Sequence, residues 1–269
     1  MFNSFSKVLV LSYAYCNVPV MPLRAEPSHR AEQTSQVLFG ENVEILELAP
    51  NEWARIKTAY DEYTGFCKIS QLQTIALKEY NKESKYIASS NNDVVHFEEG
   101  QMWLPMGAEL RGMNGNSFPF MGKIGKYKGK KELFHQLQPT CENIIKIAQH
   151  YLHAPYQWGG KTIAGIDCSG FSQLVFKLNG IRIQRDAYQQ AQQGTTVDFL
   201  QNAKAGDLAF FDNAEEKITH VGILLNAHTI MHATETSGKV VIDRIDNEGI
   251  ISVSLKKRTH QLRFVKRYF

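Results

Sequence analysis

The chain has 269 residues, 43% apolar and 21% charged, and its 30 basic and 27 acidic residues leave a net charge of +3. This is the composition of an ordinary soluble globular protein of two or three domains. The charges are spread without the dense basic block of nucleic-acid binders, which argues against a nucleic-acid partner, and no apolar run is long enough to span a membrane.

In chain order, the first apolar run is Val8 to Leu11, too short for a secretory signal core and expected to be a buried strand entering the first domain. From about residue 17 to 75 the pattern predicts short strands. Val43 and Ile45 alternate, Trp53, Arg55 and Lys57 oppose Ala54 and Ile56, and Tyr63-Thr64-Gly65-Phe66 follows a polar turn at Asp61-Glu62. The stretch from Gly40 to Lys68 resembles bacterial Src-homology-3-like (SH3-like) barrels, whose last strands carry a glycine followed by a large aromatic. A second glycine-rich stretch, roughly 80 to 135, contains Met102-Trp103-Leu104-Pro105 and Gly122, Gly125 and Gly129 among lysines. Pro105 confines any strand there to an edge or a bulge. It is read as a second barrel of the same kind, with Lys82 to Asp93 as the linker.

Beyond Thr140 the period changes. Ile144, Ile145, Ala148, Tyr151 and Leu152 form one helical face with Thr140 as its cap, and a second helix carries Phe171, Leu174, Val175 and Leu178 on one face. Asp167 should cap that second helix and Gly180 should stop it. Strands are expected at 207 to 212, 220 to 225 and roughly 228 to 234. Helices followed by an antiparallel sheet imply an α+β domain, giving the division 1–78, 79–138 and 139–269.

Cys168 then falls on the first turn of a helix, where unpaired N–H groups and the positive dipole end favour thiolate over thiol. A nucleophilic thiol needs a base, and His220 and His232 flank the expected 220–234 hairpin. A three-residue loop centred on Asn226 would set the two histidines opposite each other on one face, so that His232 could orient His220. A two-residue turn at Ala227-His228 would place the rings on opposite faces. A zinc site from Cys168, His220, His232 and Asp167 is the chemical alternative. Cys16, Cys67, Cys141 and Cys168 fit neither a CxxC pattern nor a disulfide framework, so a reducing compartment is expected.

Asp167-Cys168-Ser169-Gly170-Phe171, Gly206-Asp207-Leu208, His220-Val221-Gly222-Ile223 and Ile230-Met231-His232-Ala233, in this order, resemble the NlpC-type cell-wall peptidases. These are papain-like cysteine peptidases, and the resemblance covers about residues 140 to 269. With two preceding barrels, the chain is similar to the γ-D-glutamyl-L-diamino acid endopeptidases, the dipeptidyl-peptidase VI subgroup. The resemblance implies Cys168 as nucleophile, His220 as base and His232 as orienting residue, without metal or cofactor. It implies that Tyr156, Asp167 and Ser169 line the substrate site. Asp186, with Glu32 and Tyr63 from the first barrel, would hold the free amine of an N-terminal L-Ala; Glu26 competes with Glu32 for that place. The implied substrate is a peptidoglycan stem peptide with lysine or diaminopimelate, cleaved by a monomer in the cytoplasm or, alternatively, the cell envelope. The rival readings are an amidase or thiol acyltransferase on the same fold, or a non-catalytic wall-binding protein.

Overall fold

The computed structural model describes residues 9–269. Seven strands come first, β1 (Ser12–Cys16), β2 (Val20–Arg24), β3 (Gln33–Leu38), β4 (Asn42–Ala49), β5 (Trp53–Thr58), β6 (Thr64–Lys68) and β7 (Leu72–Ile75), in the order β3-β2-β6-β5-β4-β1-β7. Alternation turns Met21, Leu23, Val43, Ile45, Ala54 and Ile56 onto one shared apolar core, as the period-2 pattern requires. Of the expected strand at Val8 to Leu11, the described residues 9–11 form no strand. Val8 lies outside the described residues, Leu9 and Leu11 are exposed, and β1 begins only at Ser12.

A one-turn helix, α1 (Leu77–Tyr80), leads to β8 (Tyr86–Ala88), β9 (Asp93–Phe97), β10 (Gly100–Leu104), β11 (Ser117–Phe120), β12 (Lys123–Lys128) and β13 (Lys131–Leu133). These form a four-stranded sheet, β10-β9-β12-β11, and a β13-β8 ribbon around Val95, Leu104, Phe118 and Tyr127. The segment 82–93 is thus more than a linker, because Ile87 and Ala88 are fully buried in the ribbon. Pro105 follows the last residue of β10, an edge strand, where its missing N–H breaks no ladder.

The third region opens with α2 (Cys141–Gln149), where Thr140 Oγ1 accepts the Asn143 N–H at 3.1 Å, and a β14 (Lys161–Thr162) and β15 (Gly165–Ile166) hairpin. Then come α3 (Cys168–Lys177), α4 (Ala187–Gln190), β16 (Thr195–Val197), β17 (Leu208–Asp212), β18 (Ile218–Asn226), β19 (Thr229–Thr234), β20 (Lys239–Asp246), β21 (Gly249–Ser252) and β22 (Lys257–Arg267). Because β22 pairs with both β17 and β21, strands β17 to β22 close into a six-stranded barrel rather than an open sheet. Ala209, Phe211, Leu224, Ile230, Ile245 and Ile250 fill its interior. Phe210, Val221, Ile223 and Met231 point outward onto Phe171, Leu174 and Val175 of α3. Asp207, fully buried beside β17, accepts Arg267 Nε at 2.8 Å and Nη2 at 2.7 Å and fastens β17 to β22.

Helix α3 departs from the amphipathic expectation, since all ten of its residues are buried. Its polar side faces the N-terminal sheets instead of water. Gln173 Nε2 donates to Asp61 Oδ2 at 2.6 Å, and Lys177 Nζ lies 2.6 Å from Glu41 Oε1 and 3.2 Å from Glu109 Oε1. Burial raises the Glu41 carboxyl, but Lys161 and Lys177 outweigh it and hold Glu41 below the ordinary carboxylate range. Lys177 is therefore the rivet between α3 and both N-terminal units. Replacing it with Met leaves Glu109 without its ion-pair partner and Glu41 with only Lys161 at 3.9 Å, and denaturant titration should show a loss of about 3–5 kcal/mol. A change under about 1 kcal/mol would mean that the N-terminal units are not anchored there.

Candidate active site

The start of α3 is built around Asp167. Its Oδ1 accepts the Gly170 N–H at 2.6 Å, the N-cap bond expected from sequence, and its Oδ2 accepts the Gly159 N–H at 2.8 Å. Gly170 is required for packing, since a Cβ there would collide with the Gly160 carbonyl oxygen. The carboxylate also receives a two-pronged ion pair from Arg185, Nη2 to Oδ2 at 2.6 Å and Nη1 to Oδ1 at 3.1 Å. Arg185 Nη1 further donates to Ser169 Oγ at 2.8 Å, and Nε donates to Ser35 Oγ of β3 at 2.9 Å. Arg185 is 1% exposed, so this fork is a fully internal brace between the first sheet and the Cys168 turn. Asp167 and Ser169 both line the cavity described below, while their side chains also make bonds to Arg185. The sequence reading passed over Arg185, although an arginine beside Asp186 and between apolar positions was a signal that it needs a buried acid.

The histidines meet by a route that neither sequence register foresaw. The turn between β18 and β19 is the two-residue Ala227-His228 form, with Asn226 opposite Thr229. On its own it would put His220 and His232 on opposite faces. A bulge intervenes between Leu224 and Asn226, so the ladder resumes as Leu224 opposite Ile230 and Ile223 opposite Met231. The extra residue, Leu225, restores the parity. His220 and His232 then share the interior face of the barrel as diagonal neighbours, two residues out of direct opposition. Gly222 makes the diagonal passable, because a Cβ there would sit 2.9 Å from that of His232 and 2.7 Å from Ile230 Cδ1.

His220 Nε2 lies 2.9 Å from His232 Nδ1, and His232 Nε2 lies 3.2 Å from Asp243 Oδ2. Asp243 Oδ1 in turn accepts the Val253 N–H at 2.8 Å. The row therefore ends on a fixed carboxylate and leaves His220 Nδ1 free for the cavity. Asp243 escaped the sequence reading. It shares the strand parity of Ile245, a core residue, and a carboxylate at an inward position was the available clue.

The resting charge state differs from the expectation for Cys168. Burial, followed by the adjacent Asp167 charge, pushes the thiol up to about 12, despite opposing help from the Val221 and Ser169 backbone and Arg185. Burial, with His260 and His232 adding to it, drives His220 well below the ordinary imidazole value. The free site thus holds a neutral thiol and a neutral imidazole, with no preformed thiolate. Ring nitrogens of His220, His232 and His260 gather within 4.8 Å of one another. His260 nevertheless stacks on His220 at 4.1 Å and 24°, so their in-plane lone pairs run side by side instead of converging on one ion. The arrangement suits proton transfer better than a metal.

Cys168 and His220 open into a cavity of about 540 Å³ between the barrel mouth and the first sheet. From the first unit come Thr34 of β3, Glu32 just before it and Tyr63 just before β6, and from the third region Tyr156 and Asp186. Glu26 is exposed and outside this lining. Glu32 Oε1 accepts Trp158 Nε1 at 2.6 Å, a bond across the two units. The Tyr63 hydroxyl lies beside Thr34 and Asp186, and burial, then the Asp186 charge, pushes it up to about 12. Asp186 precedes α4, where its N–H donates to Gln189 Oε1 at 3.0 Å, and burial raises its carboxyl more than Arg185 lowers it. Burial likewise raises the Tyr156 phenol, which stays a donor at neutral pH.

These charge states predict a pH signature. Alkylation of Cys168 in the free protein, measured in a Cys141→Ser background because Cys141 is exposed, should keep accelerating to about pH 9. A plateau below neutrality would mean a resting thiolate. With His220 as the base, as the sequence motifs imply, the working form is the neutral imidazole, lost only as pH falls through its lowered pKa, so the acid limb of kcat/KM should lie well below about 6.5.

The NlpC/P60 family pattern matches residues 153–259, and the pattern of the bacterial dipeptidyl-peptidase SH3 domain matches residues 23–72. Dipeptidyl-peptidase 6 of Lysinibacillus sphaericus is 29% identical over 84% of this chain and 89% of its own length. The γ-D-glutamyl-L-lysine dipeptidyl-peptidase of Bacillus subtilis is 31% identical over 77% of this chain and 74% of its own. Among solved structures, an NlpC/P60 family protein from Bacillus cereus superposes with a TM-score of 0.80 at 18% identity, covering 96% of this chain and 99% of that one, a likeness of fold. Matched along both its barrel and its thiol-bearing region, the chain belongs to the NlpC/P60 family.

Proposed function

We propose that this protein is a cysteine endopeptidase that hydrolyses the γ-D-glutamyl-L-diamino acid bond of peptidoglycan stem peptides with a free N-terminal L-Ala, releasing L-Ala-γ-D-Glu. The observation that carries the reading is one cavity lined by Cys168 and by His220, itself bonded to His232, and also by an acidic corner, Asp186, Glu32 and Tyr63. Relatives named for the γ-D-glutamyl-L-lysine bond support it. So does the match to a dipeptidyl-peptidase SH3 domain, the unit that supplies Glu32 and Tyr63.

In this scheme the Cys168 sulfur attacks the γ-carbonyl carbon while His220 Nδ1 takes the thiol proton. Backbone N–H groups at the start of α3, with the Tyr156 hydroxyl, receive the oxyanion. Collapse expels the diamino acid amine, which collects the proton from His220 and leaves a thioester. Water, deprotonated by the same imidazole, then releases the dipeptide and restores the thiol. His232, backed by Asp243, fixes the His220 tautomer and stabilises the imidazolium formed midway. No cofactor enters.

The acidic corner sets specificity. A substrate ammonium adds positive charge beside half-buried Asp186, whose neighbour Arg185 is committed to Asp167 and does not offset the burial. A blocked amine would leave the half-buried Asp186 carboxylate without that cation. Such a requirement suits released peptides more than intact wall, and we place the enzyme with that pool in the cytoplasm. We also read residues 79–138 as a second SH3-like unit between 1–78 and 139–269, supported by an apolar cluster drawn mostly from its own strands, into which Phe39 and Tyr15 of the first unit also pack.

On a panel of free and N-acetylated L-Ala-γ-D-Glu-L-Lys and diaminopimelate tripeptides, mass spectrometry should find L-Ala-γ-D-Glu from the free peptides only. Cys168→Ala should reduce kcat at least about a thousandfold with the fold retained. Asp186→Asn should raise KM by roughly tenfold or more on free peptides and narrow the gap to acetylated ones. Equal cleavage of both peptide forms by the unaltered protein would overturn the amine clamp.

A further inference from the structure

The hydrogen bond from His220 to His232 fixes one atom of the His220 ring but not its plane. The two rings stand nearly perpendicular, at 80°, and rotation about the Nε2···Nδ1 line costs that bond little. The ring plane must come from flat neighbours. Two are present. Phe211 of β17 sits 5.6 Å away, tilted by 48°, and His260 of β22 lies 4.1 Å away at only 24°, a stack across the barrel mouth. His260 is itself held, with Nδ1 2.9 Å from Thr259 Oγ1 and its ring edge-on to Phe211 at 64°. It borders the same cavity as Cys168.

We propose that His260 is a positioning residue for the peptidase reaction: stacked on His220, it sets the plane of that imidazole and so aims Nδ1 at Cys168. The inference rests on the peptidase reading above. Aiming matters because proton transfer and attack are concerted with geometry, and misplacement of a reacting group by an ångström costs orders of magnitude in rate. The stack must also be uncharged when His220 becomes imidazolium, since a second cation at that distance would oppose it. Burial and the neighbouring His232 bring His260 down to about 4, although Asp243 pulls the other way. The groups facing it are His220 on β18, His232 on β19, Asp243 on β20 and the uncharged Phe211 on β17.

The test compares His260→Phe, which keeps a flat ring and loses the titrating nitrogens, with His260→Ala, which loses both. On the free-amine tripeptide, the Phe variant should keep kcat within roughly threefold of the parent, while the Ala variant should lose about tenfold or more in kcat with little change in KM. Equal losses in both variants, or none in either, would overturn the proposal. His260→Leu replaces the Ala variant if the latter does not fold. NMR titration of His220 gives a readout independent of turnover. Its pKa should stay depressed in the Phe variant and return toward the ordinary value in the Ala variant, where water occupies the space of the lost ring. Identical titration in both would also overturn the stack. Absence of tripeptide hydrolysis by the unaltered protein would instead count against the peptidase reading, leaving the NMR comparison to decide the stack.

Discussion

The structure depends on one helix that has no solvent side. Apolar residues of α3 face the outside of the closed barrel, as their spacing demands, and Gln173 and Lys177 face the N-terminal sheets. An amide and an ammonium without water must be met by groups placed for them, or each costs several kcal/mol. Asp61, Glu41 and Glu109 meet them, and Arg185 does the same for Ser35 near the Cys168 end. The N-terminal units are therefore part of the surroundings that set the position of Cys168. The same docking brings Tyr63 and Glu32 to the cavity that Cys168 lines, so the proposed specificity corner and nucleophile would share one set of buried polar bonds.

What the sequence made legible follows from local rules. The caps at Thr140 and Asp167, the stop at Gly180, and strands β4, β5, β17, β18 and β19 are all written in nearest-neighbour chemistry and period. The motifs around Cys168, His220 and His232 carried the family. Barrel closure was not legible, because pairing of β22 with β21 as well as β17 is a long-range choice that alternation does not encode. Nor was Asp243 or His260, whose roles exist only once the barrel mouth is closed. Helix α3 looked amphipathic for a sound reason, and only the partner of its polar face was misread.

The hairpin shows how a local rule can be right and still mislead. A two-residue turn does separate the faces of positions 220 and 232, but Leu225 adds a residue to one strand and reverses the outcome. Nothing in Leu-Leu-Asn announces a bulge. The requirement is visible only from the site, where two imidazoles must lie on one face. Gly222 is the complementary concession, giving His232 room to cross diagonally.

Electrostatics supplies the last step. A helix start lowers a thiol pKa when water still reaches the sulfur, but Cys168 is 5% exposed and sits beside a carboxylate, and burial wins over the helix end. The same burial keeps His220 neutral, so the barrier to an ion pair is lowered from both sides only when charge is stabilised elsewhere in the cavity. In the proposed reaction a substrate would provide that stabilisation: its ammonium would answer Asp186, its carbonyl would accept the negative charge of the attacking sulfur, and His232 with Asp243 would answer the new imidazolium. A thiol that is dormant when the cavity is empty and activated by the correct peptide spends little time as a free thiolate, the form most open to oxidation. Selectivity and protection of the sulfur then come from one arrangement of buried charge.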